Sequence, residues 1–248
     1  MMEELLPDSV VAVDTLDDEA DHAPLFSEEQ ALVAKAVDKR RREFTGVRAC
    51  ARRAMEKLGV PSHPVLPGER GAPRWPEGLV GSMTHCDGYR AAALARESDL
   101  ASLGIDAEPH APLPGGVLCS VSLPAERERL RQLAAQQPGL HWDRILFSAK
   151  ESIYKAWYSL SGEHLGFEDA DIEVHAHSPE PPRGDFRAAL LVPGPVGVGR
   201  RLEHVTGHWT VGHGLIATAV AIPSRPLPFP VAVQRTDSTT GFPRGSHP

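Results

Sequence analysis

The stretch from Trp142 to Leu160 constrains this chain most, because it reads as one long amphipathic helix closed by Ser161-Gly162. At 3.6 residues per turn, Ile145, Ala149, Ser152, Ile153 and Ala156 fall on a single stripe that must pack against another element. Glu151 and Lys155 are four apart, so they project together from a different face, with Tyr158 nearby. Taken alone, such a pair reads as a surface ion pair. Leu103-Gly-Ile-Asp-Ala-Glu108 changes the weighing: Asp106 and Glu108 are two apart on a predicted strand and leave the same face. Three carboxylates from two elements can hold a divalent cation and, through it, a phosphate substrate.

The 248 residues suffice for one large domain or two modest lobes. No apolar run approaches the roughly 20 residues that span a bilayer, and the N-terminus lacks the basic-then-apolar order of a signal peptide. A membrane partner is therefore not expected. Cys50, Cys86 and Cys119 are scattered and odd in number, which argues for reduced thiols in a cytoplasm rather than a disulfide framework or thiolate zinc site. The net charge of -7 speaks against nucleic-acid binding by the whole surface.

Val10 to Val13 reads as a short strand, and Ser27 to Glu29 as a helix start from which a helical pattern runs to Leu58 before Gly59 and Pro61. Lys35, Lys39, Arg40, Arg41, Arg42, Arg48, Arg52, Arg53 and Lys57 concentrate positive charge there, with Arg40 to Arg42 placed near a helix break. A local basic patch in an acidic chain suits a small polyanion better than a duplex. Pro64 to Pro76 is an irregular connection leading to a strand from Leu79 to Thr84, with His85 at its end. Tyr89 to Ala95 and Leu100 to Glu108 read as strands that can pair as a hairpin. Ser122 reads as the cap of a helix with Glu126 in its first turn. Strands follow over 170–174, 186–192, 208–211 and 215–221. The spacing of His204, His208 and His213 does not suit a metal site, and Gly194 to Gly199 does not suit a nucleotide loop. Beyond Pro223 the composition reads as a flexible tail.

Three separated blocks resemble one family. Gly104-Ile-Asp-Ala-Glu108 and Phe147-Ser-Ala-Lys-Glu-Ser-Ile-Tyr-Lys155 are similar to the two signature motifs of 4'-phosphopantetheinyl transferases. Trp75-Pro-Glu-Gly-Leu-Val-Gly-Ser-Met-Thr-His85 resembles the upstream motif of the Sfp-type. The Phe147 and Lys-Glu-Ser152 form points to the branch containing enterobactin-synthase component D. The resemblance implies an α+β fold of two similar, pseudo-twofold-related lobes, each a small antiparallel sheet packed with helices. The lobes would span 1–101 and 102–223, followed by a tail over 224–248, in a monomer with coenzyme A in the cleft.

The implied reaction transfers phosphopantetheine from coenzyme A to a serine of apo acyl or peptidyl carrier proteins, releasing 3',5'-ADP. The carriers served would belong to fatty acid, polyketide or nonribosomal peptide synthases, siderophore assembly included. By motif position Asp106, Glu108 and Glu151 would hold Mg2+, or Mn2+ in its place, with Glu151 also the base and its pKa held low by the cation. Lys155 would contact the transferring phosphate. Arg40, Arg48, Arg52, Arg70, Thr84, His85 and Lys150 would contact coenzyme A. The carrier would dock near Ser122 to Leu133. Two other readings use the same residues: a Mg2+-dependent phosphohydrolase with water as nucleophile, and a non-enzymatic module that binds through its basic helix.

Overall fold

In the computed structural model, which describes residues 1–16, 19–197 and 200–224, eight strands form two antiparallel sheets, each backed by a 20-residue helix, and four short strands form two separate two-stranded ladders. The N-terminal half contributes β1 (Val11–Thr15), α1 (Ser27–Val33), α2 (Asp38–Lys57), the two-residue strands β2 (Leu66–Pro67) and β3 (Pro73–Arg74), β4 (Leu79–Cys86) and β5 (Tyr89–Arg96). The C-terminal half contributes β6 (Leu100–Pro109), α3 (Val117–Val121), α4 (Pro124–Gln136), α5 (Trp142–Ser161), β7 (Ala170–Pro179) and β8 (Pro182–Leu190). It continues with the short β9 (Val196–Gly197) and β10 (Arg200–Arg201), then β11 (His204–Gly212) and β12 (Leu215–Pro223). The first sheet has the order β1-β5-β4 and the second β6-β12-β11-β8-β7. This is the expected architecture of antiparallel sheets packed with helices, with unequal strand numbers in the two halves.

Strand alternation explains the layering. On β5, Ala92 and Leu94 point to α2, where they meet Cys50, Ala51, Ala54 and Met55. The alternate residues Tyr89, Ala91, Ala93 and Ala95 face Leu103, Ile105 and Ala107 of β6 and Leu215, Ala217 and Ala219 of β12. The opposite face of the second sheet, with Ile216, Val220 and Ile222, packs on Ile145, Ala149, Ile153 and Ala156 of α5. The order through the molecule is therefore helix, sheet, sheet, helix. Each fully buried Val, Leu or Ile side chain contributes about 1.5–3 kcal/mol. The stripe expected on α5 is buried throughout, and Gly162 ends that helix in the left-handed region at φ 70°.

Three expectations are corrected. β5 and β6 do not pair as a hairpin: β6 pairs with β12, and the Glu97–Asp99 turn carries the chain from one sheet to the other. The break in the basic segment lies at 34–37, and α2 starts at Asp38, so Arg40 to Arg42 sit inside its first turns. The cap of α4 is Leu123 rather than Ser122, with the Glu126 carboxylate accepting from the Leu123 amide at 2.6 Å. The reading of a tail concerns 225–248, which lie outside the described residues, as do 198 and 199 of the glycine-rich stretch. No described helix is long and apolar enough to cross a membrane. Cys50, Cys86 and Cys119 form no disulfide with one another.

Candidate active site

β6 reaches the site because Gly104 lies flush against α5. A Cβ there would stand 2.0 Å from the Ser152 carbonyl oxygen, so only glycine permits this approach. Ser102 fixes the same crossing by donating to the Ala156 carbonyl at 2.6 Å. One turn along, Asp106 meets the Lys155 ammonium at 2.8 Å, and Lys155 also donates to the Ile105 carbonyl at 2.9 Å. An ammonium has three donors, so among the described residues the third is left for a ligand. Thr84 of β4 donates to Asp106 Oδ1 at 3.3 Å, and Ser148 donates to Oδ2 at 2.8 Å. Glu108 is paired with Arg144 at 2.8 Å.

Glu151 and Lys155 form one wall of a cavity of about 700 Å³. It is also lined by Arg40, Phe44 and Arg48 of α2, Arg70 and Trp75 of the irregular connection, and Thr84 and His85 of β4. Leu32 and Val33 of α1 complete it. A second cavity of about 440 Å³ opens on the other side of Glu151 and Tyr154, which line both. Burial, with Asp106 and Glu108 adding like charge, raises the pKa of Glu151 above the usual carboxylate range; Lys155 opposes the shift. Glu108 is raised by burial and by Asp106, against Arg144 and Lys155. The protein's own groups thus push Glu151 upward, opposite to the low value expected of a cation-bound carboxylate.

His85 has its pKa lowered, by burial first and then by Arg40, Arg90 and Lys155, with Glu43 opposing. Its Nε2 lies 3.2 Å from an Arg40 nitrogen, and a guanidinium only donates, so this Nε2 accepts and the proton sits on Nδ1.

The structure brings together most of the residues expected from the sequence, sets Arg52 and Lys150 apart, and leaves Glu108 outside the cavity lining, paired with Arg144. Arg40, Arg48, Arg70, Thr84, His85, Glu151 and Lys155 line one cavity, and Asp106 lies behind Lys155. Arg52 does not line it: its guanidinium donates to Glu29 at 3.1 Å and to the Pro24 carbonyl at 2.8 Å. Arg48 borders the cavity but is buried over the Phe44 ring, donates to the Val65 and Phe44 carbonyls, and lies 3.6 Å from Glu29. Burial lowers its pKa to about 10, with Glu29 opposing. Lys150 points away from the larger cavity. It is buried against Glu126 at 3.0 Å and the Phe167 and Ala170 carbonyls, because one step along a helix turns a side chain by about 100° from Glu151.

Sequence reasoning did not find Glu29, Arg144 or Thr218, and it left Ser148 without a role. Glu29 is fully buried and takes the Phe26 and Val65 amides as well as Arg52. Its one signal was its place in the first turn of a helix.

Among the described residues no three His, Cys, Asp or Glu side chains converge as a metal shell. The chemistry of the donors nevertheless fits Mg2+: Asp106, Glu108 and Glu151 offer hard oxygens, and the repulsion that raises Glu108 and Glu151 is what a divalent cation relieves.

Residues 28–95 match the 4'-phosphopantetheinyl transferase N-terminal domain, and residues 102–191 match the 4'-phosphopantetheinyl transferase superfamily. The chain is 56% identical over 224 residues to the 4'-phosphopantetheinyl transferase Svp of Streptomyces mobaraensis, covering 90% of this chain and 89% of that protein. It is 50% identical to Npt of Nocardia iowensis, over 89% of this chain and 99% of that one. Enterobactin synthase component D of Salmonella typhi is more distant, at 30% identity over 55% of this chain and 56% of its own length. The chain belongs to the 4'-phosphopantetheinyl transferase family and is an enzyme of that class. These relatives support neither a phosphohydrolase nor a non-enzymatic binding module.

Proposed function

We propose that the chain transfers the 4'-phosphopantetheine group of coenzyme A to the serine hydroxyl of an apo carrier protein, releasing 3',5'-ADP. The observation that carries the reading is the shared cavity: Glu151 and Lys155 line it together with Arg40 and His85. The first pair supplies a base and an ammonium, the second the donors for a phosphorylated nucleotide. The serine oxygen attacks the phosphorus that bears the pantetheine arm, and the bond from that phosphorus to the bridging oxygen of 3',5'-ADP breaks. The serine proton passes to Glu151, whose carboxylate lines the cavity together with Lys155. The third donor of Lys155 faces the charge that grows on the phosphate oxygens.

Asp106, Glu108 and Glu151 are the residues that would hold Mg2+, or Mn2+ in its place. The ion, when bound, neutralises pyrophosphate charge and stabilises the leaving phosphate. The two family matches fall on either side of residue 101, which supports dividing the chain into lobes over 1–101 and 102–223. Carrier proteins of fatty acid, polyketide, nonribosomal peptide or siderophore assembly, met by a cytoplasmic monomer through the region of Ser122 to Leu133, complete the reading. Nucleic acid and membrane have no part in it.

The test is intact-mass analysis of an apo carrier protein incubated with this protein, coenzyme A and Mg2+. A gain of one phosphopantetheine group, abolished by chelator, is the expected result. Hydrolysis of coenzyme A without any gain on the carrier would return the phosphohydrolase reading.

A further inference from the structure

Asp106 is bonded on both carboxylate oxygens, and the two sides differ in kind. Oδ1 meets Lys155 and Thr84, both of which line the larger cavity. Oδ2 meets Ser148, which is fully buried in α5. Behind Ser148 lies Thr218 of β12, also fully buried, its Oγ1 donating to the Ser148 carbonyl at 2.9 Å and standing 3.0 Å from the Ser148 hydroxyl. Thr218 and Asp106 are directly opposed in the β6–β12 ladder, so both side chains leave the same face of the sheet toward α5. Each hydroxyl has one proton. Thr218 spends its proton on the Ser148 carbonyl, and Ser148 spends its own on Asp106, so the chain of donors runs one way, from β12 through α5 to β6.

We infer that Ser148, whose backbone carbonyl is anchored by Thr218, is a positioning residue for Asp106, fixing the carboxylate so that Oδ1 is presented to Lys155. The inference rests on the proposed transferase reading, but its geometric half can be read without turnover. A carboxylate held by one wall alone can turn about its last torsion. The buried bond to Ser148 opposes that turn on the side away from substrate, where no ligand reaches.

The experiment compares Ser148→Ala, Thr218→Val and Thr218→Ser with the parent chain by carrier-loading kinetics, and solves the crystal structures of Ser148→Ala and Thr218→Val. Losing one hydrogen bond to an ionised group predicts a fall in kcat of about tenfold or more for Ser148→Ala. The KM for coenzyme A should stay within about twofold, because the substrate-binding residues are untouched. Thr218→Val, similar in shape but without the hydroxyl, should fall by about threefold, and Thr218→Ser should keep most of the parent rate. In the crystal of Ser148→Ala the Asp106 carboxylate should be rotated away from its parent orientation. An unmoved Asp106 overturns the proposal whatever the rate, as does a change confined to KM. If Ser148→Ala does not fold, Thr218→Val carries the same two readouts. A parent chain that loads no carrier sinks the transferase reading, and the crystal structures still decide the positioning of Asp106.

Discussion

Glu151 stands half-buried beside two other carboxylates, and among the described residues it makes no hydrogen bond that would hold its charge in place. Its ionised form is therefore penalised in the folded chain. Glu151→Gln removes that penalty while keeping the shape, so it should abolish carrier loading yet raise the thermal midpoint of the protein without ligands at pH 7. Each kcal/mol gained corresponds to about 2–4 °C for a chain of this size. The sign follows from a folded-state pKa raised above the unfolded one: the wild-type side chain takes up a proton as pH falls through the raised value, and the folded state then gains stability. The gap between the two proteins should accordingly shrink toward acid pH. A variant that melts below wild type at pH 7 would show that Glu151 is stabilised by its surroundings.

Lys150, next in the chain, obeys a different logic. Its ammonium is buried against Glu126, and Glu126 also receives the Leu123 and Ile172 amides, tying α4, α5 and β7 together. Lys150→Met leaves a buried carboxylate unpaired and should cost about 3–5 kcal/mol, measured by chemical denaturation, with little change in the KM for coenzyme A in the fraction that folds. A raised KM with unchanged stability would restore the phosphate-contact role that the motif suggested. No sequence rule separates these two neighbours: both are charged residues in one motif, and only the helix phase relative to the core sets them apart.

At the scale of elements, the periodicity told most of the story. The α5 stripe, the strand at β5 and the glycine stops after α2 and α5 were all legible, because burial on one side leaves a repeat in the residue types. Strand partners were not, since alternation on β5 and β6 says that each is buried without saying against what. That Asp106 and Glu108 lie near enough to act on the charge of Glu151 was legible, because the first two share a strand face and the third lies on a helix of the same motif set. The duties of the arginines were not, because they depend on Glu29, an acid whose complete burial no local pattern reveals.

Glu29 pins α1 to α2 and to the start of the irregular connection by accepting from Arg52 and from the Val65 amide. Since α1 lends Leu32 and Val33 to the cavity wall and the connection lends Arg70 and Trp75, loosening this joint should act on the nucleotide end. Glu29→Gln should raise the KM for coenzyme A by about tenfold while leaving kcat within about twofold, the pattern of lost ground-state binding. Steady-state kinetics below the melting temperature would check it; a fall in kcat at unchanged KM would place α1 in the chemical step.

For the molecule as a whole, the question is how two sheets that share no ladder act as one cleft. Their apolar faces meet between β5 and the pair β6–β12, but apolar contact is tolerant of small slips. The register between the halves has a polar source as well. Ser82 and Thr84 of β4 use their hydroxyl oxygens to accept the Ile105 and Ala107 amides of β6, at 3.1 and 3.2 Å, where a neighbouring strand's carbonyls would ordinarily stand. The same stretch of β4 carries His85 at its end, and the same stretch of β6 carries Asp106, so the joint sets the distance across the active site. Ser82→Ala leaves a buried amide without its acceptor, at a cost of about 1–3 kcal/mol. Hydrogen exchange should be faster at the Ile105 amide, and the midpoint of unfolding should fall by several degrees. Coenzyme A affinity should weaken too, although Ser82 supplies no charge to the ligand, because the two walls lose their common register. Unchanged exchange at Ile105 together with an unchanged melting point would mean that apolar packing alone holds the halves in place, and that the hydroxyls of β4 follow the register instead of setting it.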